Sequence, residues 1–190
     1  MQWLKTTLIA ASEGDELEGV VIDLRGNLGG QAGVAAQVYA MLDGEGVLAW
    51  LKARGKQKPA GPASPSLRLK GSTLLVLVDA ASHSAAELLA ARLQETGRAT
   101  LIGEATTGAV VLARGIDLPD GGKLSIGMQE ILTGDGQMLE GKGVTPDRPA
   151  PWTAEAIREG RDPALEVVAV LVEEMTKSRE NQKQAEDIGK

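Results

Sequence analysis

The chain has 190 residues, enough for one domain with a core that needs no covalent staple. It contains no cysteine, which excludes disulfides, thiolate metal sites and cysteine nucleophiles, and its one histidine, His83, excludes a multi-histidine centre. A net charge of −6 and only 2% aromatics argue against nucleic acid, because they give neither a basic footprint nor a base-stacking platform.

In chain order, the apolar stretch Leu4 to Ala11 predicts a short helix, followed by an acidic turn over Ser12 to Leu17. Gly19 to Leu24 reads as a buried strand: it is a continuous β-branched run of strand length. The glycine-rich loop Arg25 to Gly30 follows, and then a helix with Val34, Ala35, Val38, Tyr39 and Leu42 on its apolar face. Val47 to Lys52 predicts a strand and Gly55 to Ser66, with three prolines, a loop. Thr73 to Val78 reads as a second buried strand, and its apolar run is far short of the roughly 18 residues of a membrane-spanning helix. Asp79 to Ser82 turns the chain, and Ser84 to Thr96 predicts a helix closed by Gly97.

Short strands are expected at Thr100–Ile102 and Thr107–Leu112, then a turn at Leu118 to Gly122 and a strand over Lys123 to Leu132. Gly141 to Pro151 reads as a loop. Asp162-Pro163 opens a last helix with proline at its first position, and from Thr176 the sequence predicts a polar helix end or tail. The order of elements implies one α/β core domain over 1–175, with a largely parallel central sheet and a β-rich segment around 100–132.

Two segments can carry chemistry. Ser84 sits where a buried strand gives way to a helix, so its hydroxyl is exposed and the amide of Ala85 points outward; a serine there can attack a carbonyl while that amide stabilises the oxyanion. Ser84-Ala85-Ala86-Glu87 is equally a helix capping box, and the two roles are compatible. The loop Asp23 to Gly30 can present bare amides to an anion, with Gly29 or Gly30 as a second oxyanion donor; its plainer reading is a strand-to-helix turn with Asp23 and Arg25 paired. His83, beside Ser84, is the only imidazole available as a base. Consecutive residues at a turn project differently, which argues against its ring reaching the Ser84 hydroxyl. Lys123 and Lys142 read as solvated, and Glu87 and Glu104 as charges for Arg92 or Arg98.

Together these segments resemble the C-terminal processing (tail-specific) serine proteases. Asp23-Leu-Arg-Gly-Asn-Leu-Gly-Gly30 is similar to that family's Asp-Leu-Arg-Gly-Asn-Pro-Gly-Gly loop, with Leu28 in place of proline. Val76 to Leu88 is similar to its nucleophile segment and brings the nucleophilic serine onto Ser84. Ile102-Gly103-Glu104, Leu118-Pro-Asp-Gly121 and Gly141-Lys-Gly-Val-Thr-Pro-Asp147 follow as later landmarks, so the resemblance runs from about 19 to 150. It implies a ClpP/crotonase-like layered fold, hydrolysis of protein or peptide substrates through a Ser84 acyl-enzyme, no cofactor or metal, and an envelope or secreted setting. A homo-oligomer stays open.

The resemblance breaks at the base. The bacterial branch carries a lysine twenty-five residues after its serine, and here that position is Ala109; Ala113 stands where that branch often has glutamine. A tricorn-like branch uses a histidine from an N-terminal segment and a glutamate that falls on Glu140, and the sequence fits this branch better. A peptide-binding module and a first sheet strand are expected upstream in the family, which makes the chain read as N-terminally truncated. The alternative is a catalytically impaired relative that binds or scaffolds.

Overall fold

The computed structural model describes residues 7–12, 17–42, 44–61 and 73–188. The first strands are β1 (Thr7–Ser12) and β2 (Leu17–Asp23); helix α1 (Ala32–Met41) follows, then the hairpin β3 (Ala49–Ala53) and β4 (Lys56–Ala60). β5 (Thr73–Val78), α2 (Ala85–Glu95) and β6 (Thr100–Gly103) form the centre, and β7 (Val111–Asp117) and β8 (Lys123–Thr133) a long hairpin. The chain ends with β9 (Arg148–Pro149), α3 (Ala154–Glu159) and α4 (Pro163–Ile188). None of the described helices is long and apolar enough to cross a membrane.

Five strands form a sheet in the order β1-β2-β5-β6-β9, parallel throughout except at β1. Strand period two divides the side chains cleanly. Val20, Ile22, Leu74, Val76, Val78 and Leu101 face α1, α2 and the second sheet, whereas Val21, Leu75, Leu77 and Ile102 face α4 through Ala164, Val167, Val168, Leu171 and Val172. Both faces are covered, which is why Val20 to Ile22 in β2 and Leu74 to Val78 in β5 read as unbroken apolar runs. The second sheet, β4-β3-β8-β7, is antiparallel and turns Leu51 and Ile131 toward the first core.

Five expectations change. Ala11 and its predecessors from Thr7 are a strand and not a helix: β1 pairs antiparallel with the outer edge of β2, and that ladder overrides a weak local signal. Leu4 to Thr6, and most of the predicted acidic turn, lie outside the described residues. Lys56 to Ala60 is a strand within the predicted loop; Pro59 is tolerated because β4 is an edge. Thr107 to Val110 is not a strand, because its amides are taken up by carboxylates, as described below. α3 was not expected; Thr153 caps it by accepting from the Ala156 amide, and Gly160 closes it. Arg148–Pro149 is a strand within the predicted loop, because it pairs with β6, and the segment from Thr176, expected as a polar helix end or tail, is helical to Ile188.

What matters for function is the direction of β2, β5 and β6. They run parallel side by side, with Asp23 opposite Leu77 and Val78 opposite Gly103. Their carboxyl ends therefore deliver three loops, 24–31, 79–84 and 104–110, to one edge of the sheet, the usual place for a site in such folds.

Candidate active site

The first two loops are sewn together through backbone and buried polar groups. The His83 amide donates to the Asn27 carbonyl at 2.8 Å. Asp79 accepts from the Gly26 amide at 3.0 Å and from the Ala81 amide at 3.0 Å. Ser82, fully buried, accepts from the Asp79 amide and donates to the Leu24 carbonyl at 2.8 Å. Two turns that loop statistics would leave mobile are thus fixed against each other.

Ser84 sits at the strand-to-helix junction with φ +55° and ψ −116°. Among the described residues only Ser84 and Arg54 combine a side chain with positive φ. Such a conformation costs on the order of 1–3 kcal/mol and lifts the side chain out of the turn. Ala85 is the first residue of α2, so its amide has no intrahelical acceptor. Gly29, at φ +84°, lies directly against this turn: a methyl group there would come within 2.7 Å of the His83 carbonyl oxygen and of Ser84 Cβ, and 3.1 Å of the Ala85 nitrogen. The Gly29 amide itself donates to Asn27 Oδ1 at 2.9 Å. That bond occupies the Gly29 donor and leaves the exposed Gly30 as the loop residue whose amide is available.

Glu87 is the residue whose placement was misread from sequence. It pairs with neither Arg92 nor Arg98. Arg92 instead binds Glu95 and Asp135, and Arg98 donates from Nε to the Leu42 carbonyl. The Glu87 side chain is fully buried and accepts four hydrogen bonds. Oε2 takes the Ser84 amide at 2.9 Å and the Ala109 amide at 3.0 Å; Oε1 takes the Thr106 hydroxyl at 2.6 Å and the Gly108 amide at 2.7 Å. A carboxylate without a cation is thus solvated by oriented dipoles. The capping-box pattern was legible; the second set of donors, from a loop about twenty residues away, was not. Glu104 likewise holds no arginine among the described residues, and its carboxylate accepts from the Trp152 amide at 3.2 Å.

Because Ser84 and Ala109 share one carboxylate oxygen, Ala109 lies beside the Ser84 turn, where the resemblance places a lysine. Glu140 is exposed, and its Oε2 accepts from the Val110 amide at 2.5 Å; the Gly141 amide reaches back to the Gly108 carbonyl at 2.7 Å. The structure therefore brings Ser84, Ala85, Gly29, Gly30, Ala109 and Glu140 into one region. It takes the His83 ring elsewhere. Nε2 lies 3.0 Å from the Ala80 carbonyl, which can only accept, so that nitrogen carries the proton. Lys123 pairs with Asp117 at the far end of the long hairpin.

Arg25 adds a brace that sequence reading left half-seen. It forks onto Asp23 through Nε and Nη2 at 3.0 and 2.8 Å and reaches Asp162 Oδ2 at 2.7 Å. Asp162 caps α4 by accepting from the Ala164 amide at 3.0 Å. Arg25 is pushed above its ordinary range, chiefly by the hydrogen bond to Asp23. Burial alone would raise the Asp162 carboxyl, but hydrogen bonds from Arg25 and from the Leu165 and Ala164 amides bring it below its ordinary range.

Comparison with known proteins gives the family. The family model described as Peptidase family S41 matches residues 2–150. The chain is 34% identical over 134 residues to a carboxyl-terminal-processing protease of Picosynechococcus, covering 69% of this chain and 31% of the relative. It is 30% identical over 142 residues to the carboxy-terminal processing protease CtpA of Bacillus subtilis, covering 74% and 30%. A solved photosystem II D1 C-terminal processing protease superposes with a TM-score of 0.62 at 29% identity, over 71% of this chain and 35% of that one. The chain thus spans about a third of the length of the curated relatives it matches.

Proposed function

The chain belongs to peptidase family S41, and from that premise we propose that it forms the nucleophile-bearing core of a serine endopeptidase acting on extended protein or peptide segments. The observation that carries the reading is the strained Ser84 turn, held by Glu87 with the Gly29–Gly30 loop packed against it. Ser84 Oγ attacks the scissile carbonyl and gives up its proton to a base. The amides of Ala85 and Gly30 receive the oxyanion. Collapse expels the amine, which takes the proton, and water hydrolyses the acyl-enzyme.

The base is where this chain departs from the Ser-Lys pattern. Alanine at 109 cannot accept a proton, and the His83 ring is turned to Ala80. Glu140, tethered one residue beyond Ala109, is suited to orient an imidazole brought by another segment, as in the tricorn-like branch. The experiment compares the chain with a longer one carrying a preceding histidine-containing segment, each with a Ser84→Ala control, on an unfolded protein. We expect Ser84-dependent cleavage from the longer chain, lost in Glu140→Ala. The shorter chain should be slower by two to four orders of magnitude, roughly the worth of a positioned base. Cleavage by neither would favour a binding module on the same fold.

A further inference from the structure

The two outer strands of the antiparallel sheet are guarded very differently. The order β4-β3-β8-β7 leaves the outer backbone edges of β4 and β7 without a strand partner among the described residues. An open edge invites pairing with another chain, and lysine and proline are the usual protection. β4 has both, since it reads Lys56-Gln-Lys-Pro-Ala60. β7 reads Val111-Leu-Ala-Arg-Gly-Ile-Asp117, with neither lysine nor proline, and is exposed at every position.

The hairpin also carries the apolar side of the sheet out beyond the core. Val111 lies opposite Glu130 on the outer side, so Leu112, Arg114 and Ile116 fall on the side to which Ile131 turns. Register sets Leu124 opposite Ile116 and Ile126 opposite Arg114, on that same side. Leu112, Ile116, Leu124, Ile126 and Met128 are 39–50% exposed. Such a row shows on the order of 400 Å² of apolar surface, the size at which a patch on a soluble chain marks an interaction site.

Its charge is balanced. Between 111 and 128, Arg114 and Lys123 offset Asp117 and Asp120, within a chain of net charge −6. Two copies therefore meet at this arm without the repulsion that their net charges impose elsewhere.

We propose that two copies of this chain pair antiparallel through the outer edges of β7, each arm laid along the base of the other. A strand edge is its own complement across a two-fold axis. An axis at Arg114 would set two cations directly opposite each other, which is unfavourable. An axis at Gly115 keeps Ala113 to Asp117 paired and sets Arg114 opposite the partner's Ile116. A side chain built on Gly115 meets nothing within 4 Å, so the backbone there is open to approach. Antiparallel pairing brings the tip of each arm beside the base of the other, where the apolar side of the partner's sheet begins. The open edge and the apolar row are then covered together. Two rows supply on the order of 800 Å², and the paired backbones and bases carry the total past the roughly 1,000 Å² that a specific interface needs. The proposal is independent of the chemistry at Ser84.

Sedimentation velocity of the intact chain from about 1 to about 300 µM should show a monomer–dimer equilibrium with a Kd of roughly 1–100 µM. Two substitutions at the exposed Ile116 read the register. Ile116→Lys sets a cation opposite the partner's Arg114 and should weaken association at least about ten-fold, whereas Ile116→Glu sets an anion there and should hold it within about three-fold or tighten it. The chain has no cysteine, so Gly115→Cys gives one thiol per copy. Across the proposed axis the two α-carbons lie about 4.5–5.5 Å apart, within disulfide reach. Mild oxidation should cross-link Gly115→Cys at least about ten-fold faster than Lys58→Cys on the guarded edge. A chain that stays monomeric over this range, a dimer weakened alike by Ile116→Lys and Ile116→Glu, or equal cross-linking at 115 and 58 would overturn the proposal.

Discussion

The Ser84 turn and the β7–β8 hairpin are both loop-to-edge structures, yet they are held in opposite ways. Around Ser84 one buried carboxylate gathers four donors from two segments. Along the hairpin every residue of β7 is exposed, and Ile116, Leu124 and Ile126 show about 40% of their surface. The first region is rigid because polar groups inside a low-dielectric setting have no second choice of partner. The second is held by ladder bonds and two exposed ion pairs, with Ile131 at the base of β8 its buried anchor. Strained geometry is kept where removal of one side chain would orphan several buried groups, and the extended arm is left to tolerate change.

Breaking the first region has the largest expected effect. Glu87→Ala orphans two amides of the 108–109 segment, the Ser84 amide and the Thr106 hydroxyl, and should cost at least about 3 kcal/mol in urea unfolding. Glu87→Gln replaces one acceptor by a donor facing N–H groups and should cost roughly half of that. Equal stability for wild type and Glu87→Ala would sink the account of this carboxylate. Gly29→Ala comes next: the added methyl meets backbone at 2.7 Å in a left-handed conformation, so a loss of about 1–3 kcal/mol is expected, with disproportionate loss of Ser84 reactivity.

The brace between Arg25 and Asp162 predicts a pH effect of smaller size. The Asp162 carboxyl lies below its ordinary value in the folded chain, so its contribution is fully present above that value, near 3.8, and is lost as pH falls through the lower folded one. Asp162→Asn should flatten that part of the acid limb by less than about 1 kcal/mol, since both partners are partly solvated. Acid unfolding curves that superpose for the two chains would contradict this. The smallest effect belongs to the hairpin. At concentrations where the chain is monomeric, Leu124→Ser should change the free energy of unfolding by no more than about 0.5 kcal/mol, and a larger loss would mean that the arm is covered within one chain.

The parts legible in the sequence were those that one segment settles by itself. Val20 to Ile22 in β2 and Leu74 to Val78 in β5 announce themselves as uninterrupted apolar runs, and Ser84 with Glu87 three residues later marks the start of α2. What escaped depends on a distant partner. β1 is a strand because the edge of β2 is there to pair with it. Thr107 to Val110 is a loop because Glu87 and Glu140 take its amides. β4 needs β3, and the Asp162 cap needed Arg25, 137 residues earlier, to acquire its second role. The site itself was half-legible: Ser84, Gly29, Gly30, Ala109 and Glu140 do lie together, whereas the reach of Glu87 and the turning away of His83 follow from tertiary contacts alone.

In the proposed reading Ser84 is a nucleophile whose turn is in place and whose base is not among the described residues. Intact-mass measurement after exposure to a fluorophosphonate, with and without added imidazole, tests it most directly. A single adduct is expected that maps to Ser84, is absent from Ser84→Ala, forms faster with imidazole, and is slowed by Gly29→Ala. No adduct in either condition, or labelling that persists in Ser84→Ala, would contradict it.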